Sequence, residues 1–201
     1  MTTRAEYRLL EGFALDRRYA FLRGIPERDK EVAILEIARV FEEAGISYAI
    51  MDGVAVQIHT QEPRTTLDLD IALKSKSDIP TEALLAAGFK HEGSFPFSEH
   101  WRAPGPAPRK QRTAVQFSAD ALTREAVDHA GTVMLGDVEL SVVLPRDLVI
   151  LKLAAATEPR RRKSKRITDY GDIVRLLEEH PGLEERIPGI EAGLAAVRTM
   201  L

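Results

Sequence analysis

The chain contains no cysteine. That absence excludes a disulfide framework, a thiolate zinc site and a cysteine nucleophile together, and it leaves the compartment unmarked by redox chemistry. No stretch is long and apolar enough to span a bilayer. Residues 1–22 carry scattered charges (Arg4, Glu6, Arg8, Glu11, Asp16, Arg17, Arg18) and lack the apolar core of a signal peptide. A soluble, cytoplasmic protein with no membrane contact is therefore expected. An excess of positive charge is missing too: 28 Lys and Arg stand against 31 Asp and Glu, a net charge of −3. No whole-molecule field draws nucleic acid or an anionic surface, so any polyanion has to be met by a local patch. Internal repeats and low-complexity linkers are absent as well. What is present is 201 residues, 44% of them hydrophobic, a size at which about 70% of the unfolded chain's surface is buried.

Hydrophobic period and breakers divide the chain. After Pro26, Val32, Ile34, Leu35, Ile37, Ala38, Val40 and Phe41 recur at helical spacing and stop at Gly45. Residues 46–51 are short, apolar and β-rich, and Asp52-Gly53 then turns the chain into a second helical pattern through Ala55, Val56 and Ile58. Over residues 67–73, Leu67, Leu69 and Ile71 alternate with Asp68, Asp70 and Ala72, so the two carboxylates share one face of a strand. Further along, a helix is expected over 80–87, a mobile Pro- and Gly-rich loop around 95–108, a strand over 113–117 and a short helix over 122–129. A hairpin turned at Gly136-Asp137 follows, formed by 132–135 and 138–143. Helices are expected from Pro145, over 167–179, and from the Pro181-Gly182 break to the end. The order reads as an α/β (α+β) fold, a mixed sheet flanked by helices. Its divisions are an N-terminal extension (1–28), an α/β core (29–143) and a C-terminal helical segment packed on it (144–201).

Two carboxylates on one strand face can share Mg²⁺ or Mn²⁺, hard cations that take oxygen ligands and fill their shells with water and phosphate oxygens. An Asp-x-Asp also arises on edge strands that carry charge for solubility. Gly53, between a strand and a helix, lets backbone N–H groups approach an anion at a helix N-terminus; the alternative is an ordinary turn in which Asp52 caps the helix. Lys152 in Leu151-Lys152-Leu153 offers a compact charge for phosphate oxygens, or simply snorkels from a half-buried helix. Asp169 and Asp172 share a helix face. One of them orients Lys152 or Arg166 or acts as a base, unless Asp169 is a helix cap and Asp172 is solvated. The dense basic run Arg160, Arg161, Arg162, Lys163, Ser164, Lys165 and Arg166 fits an RNA or acidic protein partner, or a solvated loop. Trp101 and His100, in the Pro-rich loop, stack on a base or pack the loop onto the domain.

The order strand, Gly turn, helix, Arg-x-Thr and Asp-x-Asp resembles the DNA polymerase beta type nucleotidyltransferase superfamily. Within it, the pattern is most similar to the branch of abortive-infection nucleotidyltransferase toxins and their uncharacterised relatives. The matching residues are Gly53, Arg64, Thr66, Asp68, Asp70, Lys152, Asp169 and Asp172. The resemblance implies that Asp68 and Asp70 hold the metal and that Gly53 lies beneath a triphosphate. It further implies that Arg64, Thr66, Lys152 and Asp172 contact nucleotide, and that Lys152 and Asp169 join the two acids in catalysis. The implied reaction moves a nucleoside monophosphate from a nucleoside triphosphate to a hydroxyl of RNA, protein or a small molecule. Two positions depart from the pattern. Asp52 stands where a small residue lets phosphates approach, and Gln116 stands where a third acid is expected. These departures suggest a second possibility, a catalytically weakened binding protein of the same fold; the branch suggests a third, a toxin–antitoxin component.

Overall fold

The computed structural model describes residues 3–24, 30–62 and 64–201. In chain order the elements are α1 (Arg4–Leu22), α2 (Lys30–Glu43), β1 (Tyr48–Met51), α3 (Asp52–His59) and β2 (Asp68–Leu73). Next come α4 (Thr81–Ala86), β3 (Lys90–Ser94), β4 (Ser98–Arg102), β5 (Ala114–Ser118) and α5 (Ala121–Asp128). The chain ends with β6 (Gly131–Leu135), β7 (Val138–Val142), α6 (Pro145–Thr157), α7 (Lys163–Glu179) and α8 (Ile190–Thr199). All seven strands form one mixed sheet in the order β3-β4-β5-β2-β1-β7-β6. β2 runs antiparallel to β1 and parallel to β5, and β1 runs parallel to β7. The expected α/β architecture, a mixed sheet flanked by helices, is the observed one. Pro26 and the boundary expected between 28 and 29 lie outside the described residues. No described helix is long and apolar enough to cross a membrane.

Local chemistry accounts for the element ends. Thr3 and Glu6 form a reciprocal capping box that starts α1, and Asp120 with Thr123 does the same for α5. Pro145 opens α6, where its missing N–H costs nothing. Gly136, with φ of 63°, turns the β6–β7 hairpin. Alternation in β2 sends Leu69 and Ile71 into the core beside Val115, Phe117 and Trp101. Phe41 of α2 closes that layer, its ring 5.7 Å from Phe117 and 5.2 Å from Tyr48. α1 joins the same core through Leu9 and Phe13 and packs against α3 and β6.

The loop expected around 95–108 is in part a strand. Ser98–Arg102 is β4, paired with β3 on one side and β5 on the other, and Trp101 is buried within it, edge-on to Phe117 at 6.4 Å. The polar composition of Ser98, Glu99, His100 and Arg102 hides this strand from a hydrophobic pattern, because the ladder comes from its neighbours. α7 begins at Lys163 rather than at Ile167, so part of the basic run is helical.

Candidate functional site

The C-terminal end of β1 passes directly into α3, with no intervening turn. Asp52 is the first helical residue, in a left-handed conformation (φ 51°) that non-glycine residues adopt at a cost. The cap residue, Met51, supplies no side-chain hydrogen bond, so the first-turn N–H groups of α3 lack a side-chain acceptor there. Gly53 is pressed closely: a Cβ there would lie 2.5 Å from the Thr66 hydroxyl and 2.9 Å from Arg64 Nη1. A glycine is required by this approach, which brings Arg64 and Thr66 over the helix N-terminus.

Lys152 of α6 is buried rather than snorkelling, with 3% of its side chain exposed. Its ammonium lies 2.6 Å from Asp52 Oδ1, 2.8 Å from Asp172 Oδ2 and 3.7 Å from Asp169 Oδ1. Burial works against its charge, but Asp52 and Asp172 overcome that and hold its pKa above the usual lysine value. Burial likewise raises Asp52, yet Lys152 outweighs it and the carboxyl is held below the ordinary range. For Asp169 burial wins over Lys152 and Arg161, and its pKa is raised. Arg161 donates from Nε and Nη2 to Asp169 Oδ2 at 2.8 and 2.6 Å. Arg64 Nη1 lies 3.2 Å from Asp172 Oδ2 without the alignment of a hydrogen bond. Asp169 lies well inside α7 and Asp172 is completely buried, which excludes the readings of a helix cap and a solvated acid.

Asp68 and Asp70 occupy one face of β2 as expected, with Leu69 and Ile71 buried on the other. Burial first, then the charges of Asp52 and Asp68, push the Asp70 carboxyl up to about 8. Among the described residues, no cation lies within ion-pairing distance of Asp70, and no three His, Asp or Glu side chains form a ready-made cation cage. A magnesium-type ion commonly uses one or two carboxylates and completes its shell with water and phosphate. An oxygen-only donor pair on one strand face, with Asp70 raised by burial and by its acidic neighbours, fits such an ion.

In the parallel register Asp70 stands beside Gln116, and Gln116 stands beside His100 of β4. The third-acid position is thus an amide, which donates to Ser118 Oγ at 3.0 Å. Asp52, Asp70, Gln116, Ser118, Asp120, Lys152, Arg161 and Asp169 all line one cleft with a cavity volume of about 170 Å³. The structure therefore gathers Gly53, Arg64, Thr66, Asp70, Lys152, Asp169 and Asp172 around one region.

The architecture has known counterparts. No family model matches the chain, and no curated protein matches it. Solved structures do. An antigenic nucleotidyltransferase-like protein from Paracoccidioides brasiliensis superposes with a TM-score of 0.52 at 18% identity, over 83% of this chain and 92% of that one. The antibiotic-resistance factor ANT(2'')-Ia superposes with a TM-score of 0.54 at 12% identity, over 84% of this chain and 91% of that one. The fold is nucleotidyltransferase-like.

On this nucleotidyltransferase-like frame, sequence reasoning missed three partners. The sequence offers Asp52 as a helix cap or as an obstacle to phosphate, whereas it is the first residue of α3, with Met51 at the cap position, and the ion-pair partner of Lys152, 100 residues away. Arg161 sits in the basic run but turns inward to Asp169, and Arg166 is buried against the carbonyls of Ala156 and Glu158. Arg160, Arg162, Lys163 and Lys165 remain exposed. Lys30, buried at the start of α2, carries no signal in the sequence that separates it from a surface lysine.

Proposed function

We propose that the protein is a metal-dependent nucleotidyltransferase. The observation that carries this reading is the convergence on one cleft of the start of α3 at Met51 and Asp52, which has no side-chain cap, a buried lysine, and the carboxylate of Asp70. The N–H groups of α3 and the guanidinium of Arg64 suit phosphate oxygens. Thr66 shapes the same seat and Lys152 faces the nucleotide from α6, while the fully buried Asp172 of α7 holds Lys152 and Arg64 in place rather than touching the nucleotide. Asp68 and Asp70 would hold Mg²⁺ or Mn²⁺, which neutralises phosphate charge when bound.

In the reaction, the acceptor hydroxyl oxygen bonds to the α-phosphorus of a nucleoside triphosphate. The bond from that phosphorus to the oxygen bridging the β-phosphate breaks, and pyrophosphate leaves with the electron pair. Lys152, kept charged by Asp52 and Asp172, compensates negative charge on the transferring group, and Asp169, tied down by Arg161, orients Lys152. Gln116 offers no carboxylate to take the hydroxyl proton, so that proton passes to water. The exposed basic side chains Arg160, Arg162, Lys163 and Lys165 suit an acidic acceptor such as RNA or protein. The setting is cytoplasmic.

The test is incubation with labelled nucleoside triphosphates, Mg²⁺ and candidate acceptors. Label transferred by the wild type and lost in Asp70→Ala supports the reading. No transfer to any acceptor, with equal nucleotide and Mg²⁺ binding by wild type and Asp68→Ala, overturns it. A second reading keeps binding and drops transfer, favoured by Asp52 filling the phosphate seat and by the amide at Gln116. Calorimetry would then give nucleotide binding without turnover. Membership of the abortive-infection toxin branch predicts growth arrest on expression, abolished by Asp70→Ala.

A further inference from the structure

Residues 64–67 belong to no helix or strand, yet they carry the side chains of Arg64 and Thr66 that close over Gly53. Something other than a ladder must fix their backbone. Asp16 of α1 accepts the Thr66 N–H through Oδ1 at 3.1 Å, and its other oxygen pairs with the Lys30 ammonium. Lys30, at the start of α2, donates in turn to the Thr66 carbonyl. Gln57 of α3 donates through Nε2 to the Arg64 carbonyl. Gln57 is itself backed by α1, because a Cβ on Gly12 would fall 2.8 Å from its Cδ. Both backbone groups of Thr66 and the carbonyl of Arg64 are therefore held by side chains of three helices.

Lys30 and Gln57 are each 3% exposed. A buried ion pair recovers little more than the desolvation it costs, so apolar replacements of similar size are often tolerated in stability. What this pair provides that an apolar pair does not is a donor and an acceptor aimed at one peptide unit.

We propose that Asp16 and Lys30 are positioning residues for the nucleotide seat. They fix the backbone of Thr66, and through it the placement of Arg64 and Thr66 over the N-terminus of α3. This inference rests on the nucleotide-binding reading given above and deepens it by making α1 and α2 parts of the same site.

The test uses the full chain with two variants, Lys30→Met and the paired Asp16→Asn with Lys30→Met, the second keeping the pocket neutral where the first leaves a buried carboxylate. Three quantities are read: thermal midpoint, amide hydrogen exchange at Thr66, and affinity for a non-hydrolysable nucleoside triphosphate with Mg²⁺. In the paired variant the midpoint is expected to stay within a few degrees of wild type. Exchange at Thr66 should quicken about tenfold and affinity fall about tenfold, because a displacement of about 1 Å is enough to cost that much. Adding Arg64→Ala should then cost clearly less affinity than it does in the wild type, since a displaced Arg64 has less to lose. A merely structural role would move the midpoint and leave that coupling at zero. Exchange at Thr66 that stays at the wild-type rate overturns the brace, whether or not nucleotide binds. Faster exchange with unchanged affinity overturns its connection to the site. A wild type that binds no nucleotide overturns the nucleotide reading itself, while the exchange rates still decide whether Asp16 and Lys30 hold the segment.

Discussion

Two groups of acids, one around Lys152 and one at the β2 corner, meet at the same cleft through Asp52, Asp169 and Asp70 and are balanced differently by the fold. Around Lys152, the carboxylates of Asp52, Asp169 and Asp172 are matched by Lys152, Arg161 and Arg64, with Arg175 a further 3.5 Å neighbour of Asp172. Three acids there face at least as many bases, and the pairing holds Lys152 and Asp52 in their charged forms. At the β2 corner, Asp70 is instead crowded by Asp52 and Asp68, and the positive charges of Lys152 and Lys165 offset only part of this. Burial that is compensated internally marks an arrangement complete without a ligand. Burial that leaves a carboxyl pushed up to about 8 marks the acid that the described residues do not balance, and in the proposed metal-dependent reading a cation from outside takes that place.

The largest effect expected from this contrast is on Lys152. Lys152→Met removes the shared cation from three carboxylates, two of them almost fully buried, and breaking such a pair from one side costs about 3–5 kcal/mol. Denaturant unfolding at pH 7 should read that loss, and transfer activity should vanish with it. A variant as stable as wild type would mean the nest is not balanced internally, and the contrast would collapse. Gly53→Ala ranks next. Its Cβ meets the Thr66 Oγ1 position at 2.5 Å, and overpacking of this kind costs about 1–3 kcal/mol. Nucleotide affinity should fall further than stability, because the seat itself is deformed.

Asp70→Asn is expected to go the other way, raising stability by about 1 kcal/mol near neutral pH while abolishing transfer. The sign follows from linkage. With a folded value of about 8 against an ordinary 3.8, the folded state keeps the Asp70 proton over a range in which the unfolded chain has released it. The contribution of Asp70 to stability therefore declines as pH rises from about 4 to about 8, whereas the buried His59, lowered to about 4, contributes in the opposite direction up to about pH 6.5. Melting curves across that range should show the advantage of Asp70→Asn over wild type growing with pH, and Mg²⁺ should raise the midpoint of the wild type at pH 8 but not that of the variant. If both proteins respond alike to Mg²⁺, the β2 corner is not a cation site.

The legibility of these two regions differs for a physical reason. The same-face placement of Asp68 and Asp70 follows from the period of a strand, a local property, and the Gly136 hairpin follows from turn chemistry. The nest around Lys152 is assembled from β1–α3, α6 and α7, and its key bond joins residues 100 apart. Helical spacing put Asp169 and Asp172 on one face but could not tell a solvated face from a buried one. Asp16 and Lys30 were invisible for the same reason, since only the fold brings α1 and α2 to Thr66. β3 and β4 escaped because Lys90, His91, Glu92, Ser98 and Glu99 are polar, and a strand paired by its neighbours needs no apolar alternation of its own.

Asp52 belongs to both regions, since it pairs with Lys152 and also raises Asp70, so changing it gives the finest test of the contrast. Its left-handed backbone, φ 51°, costs a non-glycine residue about 1–2 kcal/mol, which Asp52→Gly would recover. Against that gain stands the loss of an ion pair whose carboxylate side chain is 39% exposed, worth at most about 1 kcal/mol after solvent screening. The two nearly cancel, and stability should change by less than about 1 kcal/mol. Binding should not cancel. Removing a negative charge from the N-terminus of α3 frees Lys152 and the helix N–H groups for an anion, and nucleoside triphosphate should bind about tenfold more tightly. The pKa of Asp70 should fall in the same variant, flattening the pH dependence of stability toward that of Asp70→Asn. Calorimetric titration and a pH series of melting curves on Asp52→Gly read both. Weaker triphosphate binding would mean that Asp52 holds Lys152 in its working position rather than occupying the phosphate's place.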